Sequence, residues 1–185
     1  MPFKDLSQNV LKELSSVFDR ISDDSVRPFL ENIKQSKRIF LIGGGREGLA
    51  TRSFAMRLMH LGKETHWVWD DTTPSLGEGD LLICSCGSAD VGHVNHVAKR
   101  AHENNAKIAL VTAAHTGYIG KFSDVILFIP ATAFHAEGNV VPSTQLMGNL
   151  FEQMLFLLFD VLVMMLREEM NISVEEMVSR HRNIE

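Results

Sequence analysis

The residues best suited to chemistry sit in two short turns. Gly43-Gly44-Gly45-Arg46-Glu47-Gly48 follows an apolar run and opens a segment with helical spacing. Cys86-Gly87-Ser88-Ala89-Asp90-Val91 follows a second apolar run and opens another. A helix start carries unpaired backbone N–H groups and the positive end of the helix dipole, so each turn can hold an anion. The pattern Gly43-x-Gly45-x-x-Gly48 also fits a dinucleotide fingerprint, with Asp70 or Asp71 about where a ribose-binding acid belongs. The second turn separates the two readings. Two helix starts at neighbouring strand ends make a cup for one small anion such as a phosphoryl group, whereas a dinucleotide uses only the first. Ser88 can add a hydroxyl donor or cap its own helix, and Arg46 can pair with the anion.

Positioning these turns requires a particular frame. Residues 38–42, 65–69, 81–85, 107–112 and 125–129 are short apolar runs with the length and bounds of buried strands. Between them lie helical patterns: 47–61, ended by Gly62 as a C-terminal cap, and a stretch from about Ser88 to Asn104. Residues 1–36 form an N-terminal helical segment. Val10, Leu11, Leu14, Phe18 and Ile21 lie on one face, Asp23-Asp24-Ser25 break the pattern, and residues 27–36 make a second helical piece. Residues 143–185 supply the C-terminal helices, a long apolar one over 143–170 and a short amphipathic one over 173–181. Strands alternating with helices predict an α/β fold, with a parallel sheet covered on both faces. Ligands of such sheets sit beyond the carboxyl ends of the strands, which marks the loops 43–48, 70–76, 86–92 and 112–117.

Composition excludes several classes. The chain has 185 residues, enough for one domain, and a formal charge of −5, so nucleic acid is not an expected partner. Its two cysteines, Cys84 and Cys86, form no disulfide framework and fit a reducing cytoplasm. The histidines have no metal-ligand spacing, and no metal or cofactor is expected. The apolar stretch 146–166 is interrupted by Glu152, Gln153 and Asp160, which suits a buried helix rather than a membrane span.

Several runs resemble one family closely. They are Gly45-Arg46-Glu47-Gly48-Leu49, residues 54–62 (Phe-Ala-Met-Arg-Leu-Met-His-Leu-Gly), Thr73-Pro74-Ser75, residues 77–83, residues 148–152 (Gly-Asn-Leu-Phe-Glu) and the closing residues 180–185. In unbroken order over nearly the whole chain, they are similar to the 6-phospho-3-hexuloisomerases of the sugar-isomerase (SIS) domain superfamily. The resemblance implies a three-layer α/β/α sandwich with a five-stranded parallel sheet, usually tetrameric. It also implies cofactor-free isomerisation of a phosphorylated sugar, 3-hexulose 6-phosphate to fructose 6-phosphate. Such a reaction removes a proton beside a carbonyl and returns it to the neighbouring carbon through an enediolate. The resemblance places the base at Glu152, near the start of the most apolar helix, where burial would raise its pKa. His60 and His181 are the candidate acids, His181 on a tail that could reach another subunit. Gly45, Arg46, Glu47, Cys86, Gly87, Ser88, Asp90 and Val91 are the phosphate-binding candidates. Arg57 is a weaker one. His66, His93, His96, His102, His115 and His135 read as surface or structural.

The anion cup departs from the family's pattern. The family carries a hydroxyl donor where Glu47 stands, and a Ser-Gly-Ser-Gly-Glu-Thr run where this chain has Cys86-Gly87-Ser88-Ala89-Asp90-Val91. A carboxylate repels a phosphate by roughly 1–4 kcal/mol at 4 Å in screened surroundings. Three outcomes are open. Glu47 turns away or pairs with Arg46 or Arg52, and the enzyme isomerises a sugar phosphate. Alternatively, the scaffold binds a carbohydrate derivative as a sensor without turnover. As a third case, Glu47 meets a cationic group on the substrate. Finally, the helix over 143–170 is apolar on nearly every side, more than one protomer can cover, which points to a homo-oligomer, dimer or tetramer.

Overall fold

The structure, a computed structural model, describes residues 2–135 and 138–184. Five parallel strands form one sheet: β1 (Arg38–Gly43), β2 (Glu64–Trp67), β3 (Leu81–Ser85), β4 (Lys107–Thr112) and β5 (Val125–Phe128). Their spatial order is β2-β1-β3-β4-β5. Side chains alternate across this sheet and build two cores. Ile39 and Leu41 face the first, with α1 (Phe3–Phe18), α2 (Asp23–Gln35), α3 (Gly45–His60) and α5 (Asn149–Glu169). Phe40 and Ile42 face the second, under α4 (Gly92–Glu103) and a 3-10 turn, Ile119–Lys121. A stack of rings ties α2, α3 and α5 together: Phe54 lies 6.4 Å from Phe29 and 4.2 Å from Phe159. The short α6 (Val174–Ser179) closes the chain.

Most strands lie within a residue or two of their apolar runs. Several boundaries differ for local reasons. Asp23 and Asp24 do not break the N-terminal segment; they begin α2 behind Ser22, where carboxylates favour the helix dipole. The helix expected from Ser88 starts at Gly92, because Ala89 takes a left-handed φ of 54° that no helix accommodates. The long C-terminal helix starts at Asn149 rather than Ser143. Met147 (φ 53°) and Gly148 (φ 79°) turn the chain immediately before it. Gly148 is required there twice over, since a Cβ would also lie 2.5 Å from the Phe134 nitrogen.

The segment before α5 is tied to α1. The Glu13 carboxylate accepts hydrogen bonds from Ser143 Oγ (2.7 Å), Thr144 N (2.8 Å), Thr144 Oγ1 (2.8 Å) and Gln145 Nε2 (3.0 Å). Burial pushes this carboxyl's pKa up, but the hydrogen bonds outweigh it and hold the pKa at about 2. Helix α5 is long and apolar enough to cross a membrane, yet its inner face is buried in the first core, against α3, α1 and α2. Its outer face leaves Phe156, Leu157, Val161 and Met164 exposed in the single chain.

Candidate functional site

A cavity of about 750 Å³ opens beyond the carboxyl ends of the central strands. The first turn contributes Gly44, Gly45, Arg46 and Glu47, and the second contributes Ser88, Asp90 and Val91. Thr116 and Gly117 come from the loop after β4, and Met147 and Glu152 from the start of α5. The N-terminal ends of α3, α4 and α5 therefore all border one space, which favours a negative charge there. The glycines of the first turn have separate tasks. Gly45 takes φ 50° to start α3. A Cβ on Gly48 would lie 2.5 Å from the Gly43 carbonyl oxygen, so this glycine lets α3 rest on the end of β1.

The second turn is built around a sulfur rather than an open cup. Cys86 is fully buried, its Sγ lies 3.8 Å from Ser88 Oγ, and the Ala89 and Asp90 N–H groups face it. Burial, with the charge of Glu47, pushes this thiol's pKa up to about 11. Cys86 and Gly87, both expected at the anion, do not line the cavity. Ser88 does not cap α4; its hydroxyl accepts from Asp90 N (3.3 Å), and Asp90 in turn accepts from Asn95 Nδ2 (2.6 Å). Gly117 is packed so tightly under this turn that a Cβ would lie 2.4 Å from that of Ala89.

Glu47 pairs with neither Arg46 nor Arg52. Its Oε1 accepts the Gly87 N–H at 3.1 Å, spanning the two turns. Burial raises its pKa to about 7; the Gly87 N–H opposes this, and the charge of Glu152 adds to it. Arg46 Nε instead lies 2.7 Å from Glu152 Oε2, an ion pair whose geometry makes no hydrogen bond. Arg52 pairs with Asp70 at 3.4 Å and lies over the Trp67 ring.

His60 and His181 lie elsewhere. They stack on each other, with centroids 5.4 Å apart, in a separate cavity of about 310 Å³ that Arg52, Met56, Trp67 and Asp70 also line. Arg180 donates to the His60 carbonyl (2.9 Å) and fills the space beside Gly62, which holds the tail against the end of α3. His60 is 3% exposed. Burial, then the charges of Arg57 and His181, lower its pKa. His60 lies thirteen positions along the helix from Glu47, roughly 20 Å. Asp70 faces this second cavity, so it does not complete a dinucleotide site with the glycine turn.

Two histidines read as surface or structural, His93 and His135, line the main cavity, as does Phe134. His93 also touches the turn, its Cε1 lying 3.5 Å from where a Gly44 Cβ would stand. Its position two residues past Val91, immediately after the loop marked by the strand-end rule and in the first turn of α4, was the available signal. His135 carried none. Among the described residues, no group of three or more His, Cys, Asp or Glu side chains could hold a metal ion.

The profile of the SIS domain family matches residues 32–160. A 3-hexulose-6-phosphate isomerase of Bacillus subtilis is 36% identical over 95% of both chains. One of Mycobacterium gastri is 33% identical over 98% of this chain and 94% of its own. A crystal structure from Methanococcus jannaschii superposes with a TM-score of 0.79 at 30% identity, covering 97% of this chain and 96% of that one. A molecular function of 3-hexulose-6-phosphate isomerase has been inferred for that protein.

Proposed function

The chain belongs to the SIS domain family, and from that premise and the pocket's chemistry we propose that it is a phosphosugar isomerase. The reaction that fits best interconverts a 3-hexulose 6-phosphate, the sugar phosphate that the relatives' names print for those proteins, and fructose 6-phosphate. One observation carries the reading: the Glu152 carboxylate lines the same cavity as residues of both strand-to-helix turns.

In this reading the substrate's phosphate lies against the starts of α3 and α4, and its carbonyl end reaches toward α5. Glu152 takes the proton from the carbon beside the carbonyl, leaving an enediolate, trades that proton with solvent, and delivers a proton to the adjacent carbon. Arg46 orients Glu152 through the 2.7 Å pair, and it is near enough to the turn to meet the incoming anion. His60 and His181 cannot reach this base within one protomer. If they serve the reaction, they do so across a subunit interface, and the exposed apolar face of α5, with Leu49 and Met147, fits burial against a second copy.

The test is proton exchange. Fructose 6-phosphate incubated with the protein in D2O loses its C3 proton, followed by NMR. Glu152→Gln slows that exchange by roughly 100-fold or more. Full exchange in the variant removes Glu152 as the base; absence of exchange in the wild type at every pH tried removes the isomerase reading.

A further inference from the structure

We propose that Glu47 is a specificity-determining ligand of the substrate's phosphate, engaging it only as the neutral acid, so that binding takes up one proton at this residue. The inference rests on the phosphosugar reading above and deepens it.

The geometry leaves Glu47 little freedom. It leaves α3 beside Arg46, crosses to the second turn and accepts the Gly87 N–H. A Cβ on Gly87 would lie 2.9 Å from this carboxyl oxygen, 2.7 Å from Ala133 and 3.2 Å from Phe151, so the carboxyl is wedged against a crowded wall. It nonetheless lines the cavity. Its surroundings give it no counter-ion. Arg46 on the same helix is paired with Glu152. From α5 comes Glu152, a like charge. The second turn brings the Cys86 thiol, and Asp90, which Asn95 holds. His93 of α4 packs against Gly44, and His135 faces the cavity from the loop beyond β5. No Lys or Arg among the described residues forms an ion pair with Glu47. Burial accordingly holds its pKa at about 7.

Ionised, Glu47 has only acceptors to offer, and it competes with a phosphate for the same amides while repelling it. Protonated, one oxygen keeps the Gly87 N–H and the O–H is free to donate to a phosphate oxygen. That is the donor a hydroxyl would provide at this position. The carboxyl thus supplies the hydroxyl's hydrogen bond, but only with its proton on. A dianionic phosphate beside the group favours that proton further.

The experiment is calorimetric titration of the intact protein with fructose 6-phosphate from pH 6 to 9, in two buffers of different ionisation enthalpy, with Glu47→Gln and Glu47→Ser alongside. The ligand's own phosphate titrates near pH 6, below the informative window. In the wild type, Kd weakens toward tenfold per pH unit above 7, with uptake of close to one proton at pH 8. Glu47→Gln keeps an acceptor for Gly87 and a permanent N–H donor for the phosphate, so it binds with a flat profile from pH 7 to 9 and takes up no proton. Glu47→Ser is likewise flat. Parallel profiles in wild type and variants, or no proton uptake in the wild type, overturn the proposal while leaving the isomerase reading intact if C3 exchange persists. If neither wild type nor variants bind or exchange fructose 6-phosphate, both fall together.

Discussion

Replacing Glu13 with glutamine tests how the base-bearing helix is held. Glutamine keeps the shape but loses the charge and one acceptor oxygen. Four hydrogen bonds, at 2.7 to 3.0 Å, end on the carboxylate and hold residues 143–145 just before α5. A pKa held at about 2, against an ordinary 4.5, corresponds to roughly 3 kcal/mol before screening. Thr144 is exposed and can turn to water, so about 1–2 kcal/mol is the expected loss. The sign follows from the depressed pKa. The contribution is fully present above the unfolded value near 4.5 and is lost as pH falls through about 2. Urea unfolding followed by fluorescence of Trp67 and Trp69, at fixed protein concentration, measures it. Wild type exceeds Glu13→Gln by a constant margin from pH 5 to 8, and the two curves converge below pH 4. The tether also fixes where α5 begins, so Glu152 loosens and C3 exchange falls several-fold. Equal stability of the two proteins at pH 7, or a difference that does not shrink on acidification, refutes the anchoring role.

Two further outcomes follow from the same geometry. Gly48→Ala places a Cβ 2.5 Å from a backbone oxygen and loses about 2 kcal/mol, measured by urea unfolding, whereas Gly92→Ala, with nothing within 4 Å, gains about 0.5 kcal/mol. If His60 acts across a subunit interface, Glu152→Gln and His60→Gln, each weakened alone, regain C3 exchange when co-expressed, up to about a quarter of the wild-type rate. No recovery in the mixed protein assigns His60 a purely structural place under the tail.

The strands were readable because both faces of a parallel sheet are covered, so each strand appears as a continuous apolar run. Residues 81–85 and 107–112 match their strands end to end. The edge strand β2 ends at Trp67, and Trp69, expected within it, is 56% exposed. An edge strand has one neighbour and need not extend as far. Helix starts failed where the backbone takes a conformation that residue type does not announce. Ala89 and Met147 have positive φ without being glycine, and each displaces a helix start by several residues. Leu146 and Met147 continue the apolar pattern of α5 but lie exposed ahead of it, so periodicity overran the true boundary.

The site divides along a similar line. Residues of the first turn were legible as neighbours, because a strand-to-helix junction brings them together, whereas in the second turn Ser88, Asp90 and Val91 reach the cavity and Cys86 and Gly87 do not. Contacts that span the chain were not: Glu47 to Gly87 crosses 40 positions, and Glu13 to Ser143 crosses 130. Nothing in residue spacing predicts a carboxylate accepting an amide that the same spacing assigns to a substrate. The separation of His60 from Glu47 is a different case. A single helix from Gly45 to His60 already puts its two ends roughly 20 Å apart. Glu152 borders the same cavity as the helix start, so a histidine at the far end cannot share its substrate within one chain. The distance that rules out a one-chain acid was therefore contained in the helical pattern of residues 47–61, and it makes subunit assembly a condition of any catalytic role for His60.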